Sequence, residues 1–143
     1  MSRIRIFAWL LLTLAAFGPL PQKTVTIEAD DFLRFSQAEI EAQSGTQLTV
    51  TLVNKGKMPN LQHNFVLLAP DMDPARFGNA AMSAQDDGYI PTSLRDSVIA
   101  NTRMAASGQS VSTTFTVPGK GAYVYICSYP GHYTVSRGKL IAK

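Results

Sequence analysis

The sequence predicts an antiparallel β-sandwich or barrel of about eight strands, with a short helical insertion around residues 70–91. Two observations lead to this fold class. Short segments alternate between polar and apolar residues, which is typical of strands with one buried face. Glycine and proline separate these segments at regular spacing, as they do in sandwiches and barrels. The length of 143 residues fits one domain and a removable segment.

Residues 1–20 have the features of a secretory signal peptide. Arg3 and Arg5 give a positive start, and an apolar run follows over residues 6–17. This run is shorter than the roughly 20 residues that a membrane span needs, so we favour export over a membrane anchor. We therefore expect cleavage at about residues 18–23, a periplasmic location, and a mature domain over residues 23–143 without stable membrane insertion.

The mature domain is nearly neutral. The whole chain has 13 Lys+Arg against 10 Asp+Glu, a net charge of +3, and removing Arg3 and Arg5 leaves 11 against 10. No basic run remains, which argues against nucleic acid as a partner. Cys127 is the only cysteine, so it cannot form an internal disulfide. It is buried and inert, paired with another chain, or reactive or metal-bound.

The first half of the chain contains four predicted strands before the insertion. Residues 24–29 alternate regularly, and the less regular residues 32–42 predict a bent edge strand. Residues 47–53 alternate again and predict the next strand. The composition of residues 54–60 predicts a loop, and the mostly apolar residues 63–69 predict a further, central strand.

The insertion and the second half follow the same reasoning. Asp73-Pro74 has the pattern of an N-cap followed by proline at the first helical position, which predicts a short helix over residues 75–84. Asp86-Asp87-Gly88 then ends it. Further strands are predicted over residues 97–101, 111–117, 122–127 and 138–142.

The residues that can carry chemistry are one cysteine and two histidines. Cys127 and His132 lie on either side of a Pro-Gly turn, and His63 begins a predicted strand far upstream. A thiolate and two imidazoles favour a trigonal copper site for electron transfer, although zinc also accepts these ligands. The structural alternative is a cysteine that packs as a small buried hydrophobe, beside histidines that only form hydrogen bonds.

Two segments resemble azurin-type blue copper proteins of the cupredoxin family. Residues 127–132, Cys-Ser-Tyr-Pro-Gly-His, resemble the copper-binding loop, and residues 63–67, His-Asn-Phe-Val-Leu, resemble the strand of the first histidine. The resemblance implies a Greek-key sandwich, one copper ion cycling between Cu(I) and Cu(II), and one-electron transfer in the periplasm rather than enzymatic activity. It also implies His63, Cys127 and His132 as the metal ligands.

The same resemblance implies roles for the residues around the ligands. The backbone carbonyl of Gln62 would be a weak axial ligand, and Asn64 would join the two ligand segments. Backbone amides of Asn64 and Tyr129 would donate to the Cys127 sulfur. The sequence departs from the azurin pattern in lacking a disulfide and in placing Ser136 where an axial methionine is expected. We therefore expect the axial side to be empty or filled by Ser136 or water.

A small apolar surface is predicted around the ring edge of His132, through which electrons would pass. Its members are Met58, Leu61, Pro130, Tyr133 and Val135. Such a surface suits brief docking to a redox partner, for example a cytochrome or a copper oxidoreductase.

Other functions remain as alternatives. A periplasmic copper carrier or storage protein is the main one, because Ser136 would hold copper less firmly than a thioether and ease its release. A metal-free interaction module is another. A cysteine hydrolase is disfavoured because no glycine-flanked nucleophile elbow presents Cys127. A multicopper oxidase domain would need histidines in place of Ile126 and Ser128, and a binuclear copper site would need a second cysteine.

Overall fold

The structure is a computed structural model that describes residues 18–143, so the predicted signal peptide lies almost entirely outside the described residues. The described chain has eight strands, one α-helix and three short 3-10 helices. The strands are β1 (Gln22–Ala29), β2 (Glu39–Ala42), β3 (Gln47–Asn54), β4 (Val66–Leu68), β5 (Val98–Asn101), β6 (Ser110–Thr116), β7 (Gly121–Ile126) and β8 (Arg137–Ala142). The helix is α1 (Pro74–Ala81), and the 3-10 helices are Gln85–Asp87, Thr92–Ser97 and His132–Thr134.

The strands form two sheets packed face to face. One sheet has the order β1-β3-β6 and the other the order β2-β8-β7-β4-β5. This confirms the predicted eight-strand sandwich with a helical insertion. The expectation of a purely antiparallel arrangement was wrong, because β1 pairs with β3 and β2 pairs with β8 in parallel. Since β2 lies in the opposite sheet, the chain crosses over between β1 and β3, and such a connection produces a parallel pair.

The predicted bent strand over residues 32–42 was too long, because only β2 at its end is a strand. The preceding residues form an irregular loop held by the Asp30 carboxylate, which accepts N–H bonds from Phe32 at 3.0 Å and Arg34 at 2.9 Å. Leu33 has a positive φ of 63°, which is incompatible with a strand. Side-chain to backbone bonds have therefore replaced strand pairing in this segment.

The helix begins as predicted and ends earlier. The carboxylate of Asp73 accepts the N–H of Arg76 at 2.7 Å, and Pro74 is the first helical residue. Instead of continuing to residue 84, α1 ends at Ala81, and a 3-10 helix follows. No helix within residues 18–143 is long and apolar enough to cross a membrane.

The five-stranded sheet is buried on both faces at its centre. On one face Leu67 and Tyr125 join the core between the two sheets. On the other face Val66, Leu68 and Ile126 form a second core with residues of α1 and the insertion. Strands covered on both sides are fixed by packing, so β4 and β7 give a rigid support to whatever lies at their ends.

Candidate metal centre

Three predicted ligand residues meet at one end of the sandwich. His63, Cys127 and His132 are all buried, and each offers one ligand atom within 4.8 Å of the others. Cys127 Sγ lies 3.5 Å from His132 Nδ1, and the two imidazole centroids are 4.7 Å apart. His63 is far from Cys127 and His132 in the sequence, and the pairing of β4 with β7 brings them together.

The downstream ligands are held by a compact loop. Cys127 follows β7, and its N–H donates to the carbonyl of Ser136 at 2.9 Å. The N–H of Ser136 in turn donates to the His132 carbonyl at 2.8 Å, and that of His132 to the Tyr129 carbonyl at 3.0 Å. Gly131 has a φ of 78°, in the left-handed region that glycine adopts without strain. These bonds fold the loop so that the thiol and imidazole face each other.

The upstream ligand is held by residues distant in sequence. The strand predicted over residues 63–69 is shortened to β4, and His63 instead forms an isolated bridge with Ala105. The His63 N–H donates to the Ala105 carbonyl at 3.1 Å, and the Ala105 N–H returns a bond of 2.7 Å. The buried Asn54 amide donates to the carbonyls of Ala105 and Leu61, at 3.0 and 3.1 Å. Satisfied buried amide bonds of this kind hold a loop in one conformation.

Asn64 connects the two ligand segments directly. Its side-chain carbonyl accepts the N–H of Ser128, and its side-chain amide donates to the Ser128 hydroxyl, both at 2.8 Å. Both residues are fully buried. Because Asn64 follows His63 and Ser128 follows Cys127, this pair of bonds fixes the separation of two ligands.

The thiol is protonated at neutral pH in the metal-free protein. Burial raises the pKa of Cys127 to about 12, while the backbone amides of Asn64 and Tyr129, directed at the sulfur, oppose this effect. Amide donors stabilise a thiolate more than a thiol. A bound cation would displace the proton, and these amides would then remain as donors to the metal-bound sulfur.

The two imidazoles are held in their neutral form. Burial, with a smaller contribution from His63, lowers the pKa of His132 to about 4. Burial also lowers the pKa of His63, against opposing effects of the Asp30 carbonyl and nearby carboxylates. Although the Asp30 carbonyl and these carboxylates influence His63, neither of its ring nitrogens has a hydrogen-bond partner among the described residues.

This donor set fits copper. Buried polar atoms without partners are rare in proteins and unfavourable, and a metal ion bound by His63 would remove that cost. A neutral imidazole pair with one cysteine sulfur matches the His2Cys trigonal sites of electron-transfer copper proteins. The rigid supports of the three ligands limit the rearrangement that a change of metal oxidation state would otherwise cause.

The two predicted axial residues adjoin the cluster. Gln62 immediately precedes His63 and is partly buried. Ser136 is fully buried, and its hydroxyl donates a hydrogen bond to the backbone carbonyl of Leu33. The hydroxyl proton is thus engaged by the irregular loop that precedes β2, a connection that the sequence did not indicate.

The predicted docking residues differ in their exposure. Met58 and Val135 are 53% and 47% exposed, and three others are partly buried: Leu61, Pro130 and Tyr133. The ring edge of His132 is more covered than expected, since the residue is only 3% exposed. The rings of Tyr129 and His63 each lie 4.7 Å from it.

One exposed residue near this surface was missed from the sequence. Phe32 is 75% exposed. Its neighbour Asp31 accepts N–H bonds from Lys57 and Met58, at 2.9–3.1 Å. Phe32 therefore lies beside the segment that contains Met58. The only sign of its exposure in the sequence is its position after two aspartates. The segment was predicted as a strand, so this sign was not used.

Comparison with known proteins places these features in a family context. The family described as copper binding proteins, plastocyanin/azurin family, matches residues 21–143. The chain is 38% identical to an azurin of Achromobacter denitrificans over 128 residues, which cover 83% of each chain. It is 34% identical to auracyanin-A of Chloroflexus aurantiacus over 122 residues, covering 82% of this chain and 74% of the relative.

The likeness extends to solved structures. A structure of auracyanin A, described as a "blue" copper protein from Chloroflexus aurantiacus, superposes with a TM-score of 0.77 at 30% sequence identity. The match covers 85% of this chain and 99% of that one. This confirms the predicted cupredoxin-type sandwich.

Proposed function

Because the chain belongs to the plastocyanin/azurin family of copper-binding proteins, with a His-Cys-His type 1 copper site and a role in electron transfer, we propose that it shuttles single electrons in the periplasm from a site without an axial thioether. Family membership also confirms that it is not an enzyme. The observation that carries the proposal is the buried cluster of His63, Cys127 and His132. Bound copper supplies a one-electron couple at such a donor set.

The protein's own residues keep the ligands in place and keep water out. His63 and Cys127 are inaccessible, and His132 is nearly so. The bonds between Asn64 and Ser128 resist separation of the ligand segments. A site that is already organised for both oxidation states needs little rearrangement when an electron arrives or leaves.

The axial side is where this protein differs from the azurin pattern. We assign Ser136 to the position of the expected methionine and the backbone carbonyl of Gln62 to the opposite, weak axial position. The complete burial of Ser136 and the engagement of its proton by Leu33 support an oxygen that is held still rather than a mobile hydroxyl. The axial bond in such sites is long and weak, so its loss leaves the three main ligands sufficient for binding.

Electrons would enter and leave beside His132, through a docking surface that we define as Phe32, Met58, Leu61, Pro130, Tyr133 and Val135. The exposure of Phe32, Met58 and Val135 supports it, because clustered exposed apolar residues mark interaction sites. A small surface of this kind suits a transient complex with a redox protein such as a cytochrome or a copper oxidoreductase. The charged start and apolar run of residues 1–20 support export to the periplasm.

The rival function is copper carriage or storage without electron transfer, and Ser136 is the observation that favours it. Spectroscopy, voltammetry and chelator competition on the copper-loaded protein separate the two functions. An electron carrier shows an intense visible copper–thiolate band, a narrow copper hyperfine pattern in electron spin resonance, and reversible one-electron voltammetry. A carrier of copper instead transfers the metal readily to a competing chelator and shows no reversible couple. A wide hyperfine pattern without the thiolate band would contradict the proposed site.

A further inference from the structure

The helix of the insertion contacts the ligand loop at the residue that follows His132. The Tyr133 ring lies directly against the backbone of α1 at Gly78. A Cβ atom placed on Gly78 would lie 2.2 Å from Tyr133 Cδ1 and 2.4 Å from its Cγ. Real Cβ atoms do not approach other atoms this closely, so the ring occupies the space that any other residue at position 78 would need.

The backbone of α1 does not itself demand glycine at this position. The φ angle of Gly78 is not among the positive values of the chain, and glycine is less favourable than alanine inside a helix. The contact with Tyr133 therefore accounts for a residue that helix formation alone would disfavour. Glycine lets another group, here the Tyr133 ring, approach the backbone closely.

A hydrogen bond adds to the same contact. The Tyr133 hydroxyl donates to Asn79 Oδ1 at 3.1 Å. The ring also packs against the second core, which includes Phe77 and Ala81 of α1. Tyr133 is thus attached to α1 by packing and by its hydroxyl. Because it follows His132 within the 3-10 helix His132–Thr134, its position constrains that of the histidine backbone.

We propose that α1 orients His132 for the metal through Gly78, Asn79 and Tyr133, a set that we call the helix clamp. Tyr133 is a positioning residue in this scheme, since it acts on the ligand through the backbone that they share. The inference rests on His132 being a copper ligand, as in the proposed function. It adds that the insertion controls the geometry of one ligand, whereas His63 and Cys127 are held by their bonds to Ala105 and Ser136 and by the Asn64–Ser128 pair.

The decisive experiment compares two glycine-to-alanine variants. Gly78→Ala places a methyl group where the Tyr133 ring lies. Gly119→Ala is the matched control, because a Cβ there has nothing within 4 Å and the backbone has an ordinary φ. Each protein is examined with and without copper. The metal-free measurements are urea unfolding and the NMR shifts of the His132 amide and Tyr133 ring, and the copper-loaded ones are the hyperfine splitting and the rate of copper loss to a chelator.

The clamp predicts a specific pattern. Gly78→Ala shifts the Tyr133 and His132 resonances in the metal-free protein and widens the hyperfine splitting. It accelerates copper loss roughly tenfold or more, the scale seen when groups supporting metal ligands are removed. Gly119→Ala behaves as the unaltered protein. If both variants retain the original resonances, hyperfine pattern and copper-loss rate, the clamp is refuted.

Two milder variants keep the test valid if Gly78→Ala does not fold. Tyr133→Phe and Asn79→Ala each remove one end of the same hydrogen bond. We expect both to accelerate copper loss by equal amounts, roughly twofold for a solvent-accessible bond, and the double variant to add nothing further. Additive effects or unchanged rates would overturn the role of this bond. An unaltered protein lacking the copper–thiolate band would contradict the proposed function instead, before any variant is compared.

Discussion

The two segments that supply metal ligands are stabilised in different ways. Around Cys127 and His132 the backbone hydrogen bonds are local, joining residues at most nine positions apart within one loop, and only side-chain bonds connect this loop to distant residues. Around His63 they are long-range, reaching Asn54, Ala105 and, through Asn64, Ser128. A metal site can therefore combine a loop that largely shapes itself with a segment that depends on the whole fold.

The largest effect is expected in the ligand loop, because a substitution there can remove a metal ligand. Cys127→Ser replaces the only sulfur of the cluster by an oxygen that is a poor copper ligand at neutral pH. The copper–thiolate absorption should disappear completely and the copper affinity should fall. Visible spectroscopy and competition with a chelator measure both. Retention of colour and affinity would show that the cluster is not the copper site.

The next effect is expected at the junction of the two segments. Asn64→Ala leaves the buried Ser128 N–H without an acceptor, which costs about 1–3 kcal/mol. Urea unfolding of the metal-free protein measures this loss. Thr134→Ala is the control within the loop, because it removes only the exposed bond from the Thr134 hydroxyl to the Gly131 carbonyl, and should cost less than about 0.5 kcal/mol. Equal losses in the two variants would remove the distinction between long-range and local support.

Ser136 tests whether the axial residue supports the site or binds the metal. Ser136→Ala leaves the Leu33 carbonyl without its donor and should lower the free energy of unfolding by about 1–2 kcal/mol. The copper–thiolate band should persist, because an axial bond is weak. Unfolding measurements and the visible spectrum report the two effects separately. Loss of the band in a folded variant would mean that Ser136 is essential for copper binding.

Acid should destabilise the metal-free protein through both segments. Burial holds the pKa of His132 at about 4, below its ordinary value of 6.5, and also lowers the pKa of His63. The unfolded chain therefore takes up protons at a higher pH than the folded one. The two histidines do not reduce the free energy of unfolding above about pH 6.5. This free energy falls as the pH drops towards 4, by roughly 2–3 kcal/mol for His132 alone.

Urea unfolding at pH 7.5, 5.5 and 4.5 measures this slope. His132→Gln should have a shallower slope than the unaltered protein, since it removes one of the two groups. A variant with an undiminished slope would exclude His132 as a source of the acid sensitivity.

The smallest effect on the site itself is expected at its surface. Val135→Asp adds a charge to an exposed position of the docking surface and replaces no ligand residue. The visible spectrum should be unchanged, and electron exchange should slow by roughly tenfold because like charges repel and the apolar contact is lost. Electron self-exchange measured by NMR line broadening reports the rate. Unchanged exchange would argue against this surface.

The same contrast explains what the sequence revealed. Cys127, Pro130, Gly131 and His132 lie within six positions; their spacing is compatible with a metal-binding loop, and the resemblance of this short segment to azurin-type proteins predicts one. Regular alternation likewise predicts β1 and β3. These features are local, so the sequence of each short segment is sufficient to predict them.

What the sequence did not predict depends on contacts between distant residues. The irregular loop before β2 owes its shape to carboxylates that bind backbone amides, including those at residues 57 and 58. Its attachment to Ser136 and the contact of Gly78 with Tyr133 join segments about 100 and 55 residues apart. No periodicity encodes such contacts, and only the assembled fold reveals them.

The parallel pairing at the two edges has a mechanical consequence. A force directed along the strand axes would load β1 against β3, and β8 against β2, in shear. In that shearing geometry several inter-strand bonds must rupture together, whereas an antiparallel hairpin pulled from its open end unzips one bond at a time. The two parallel pairs should therefore resist forces that act along the strand axes.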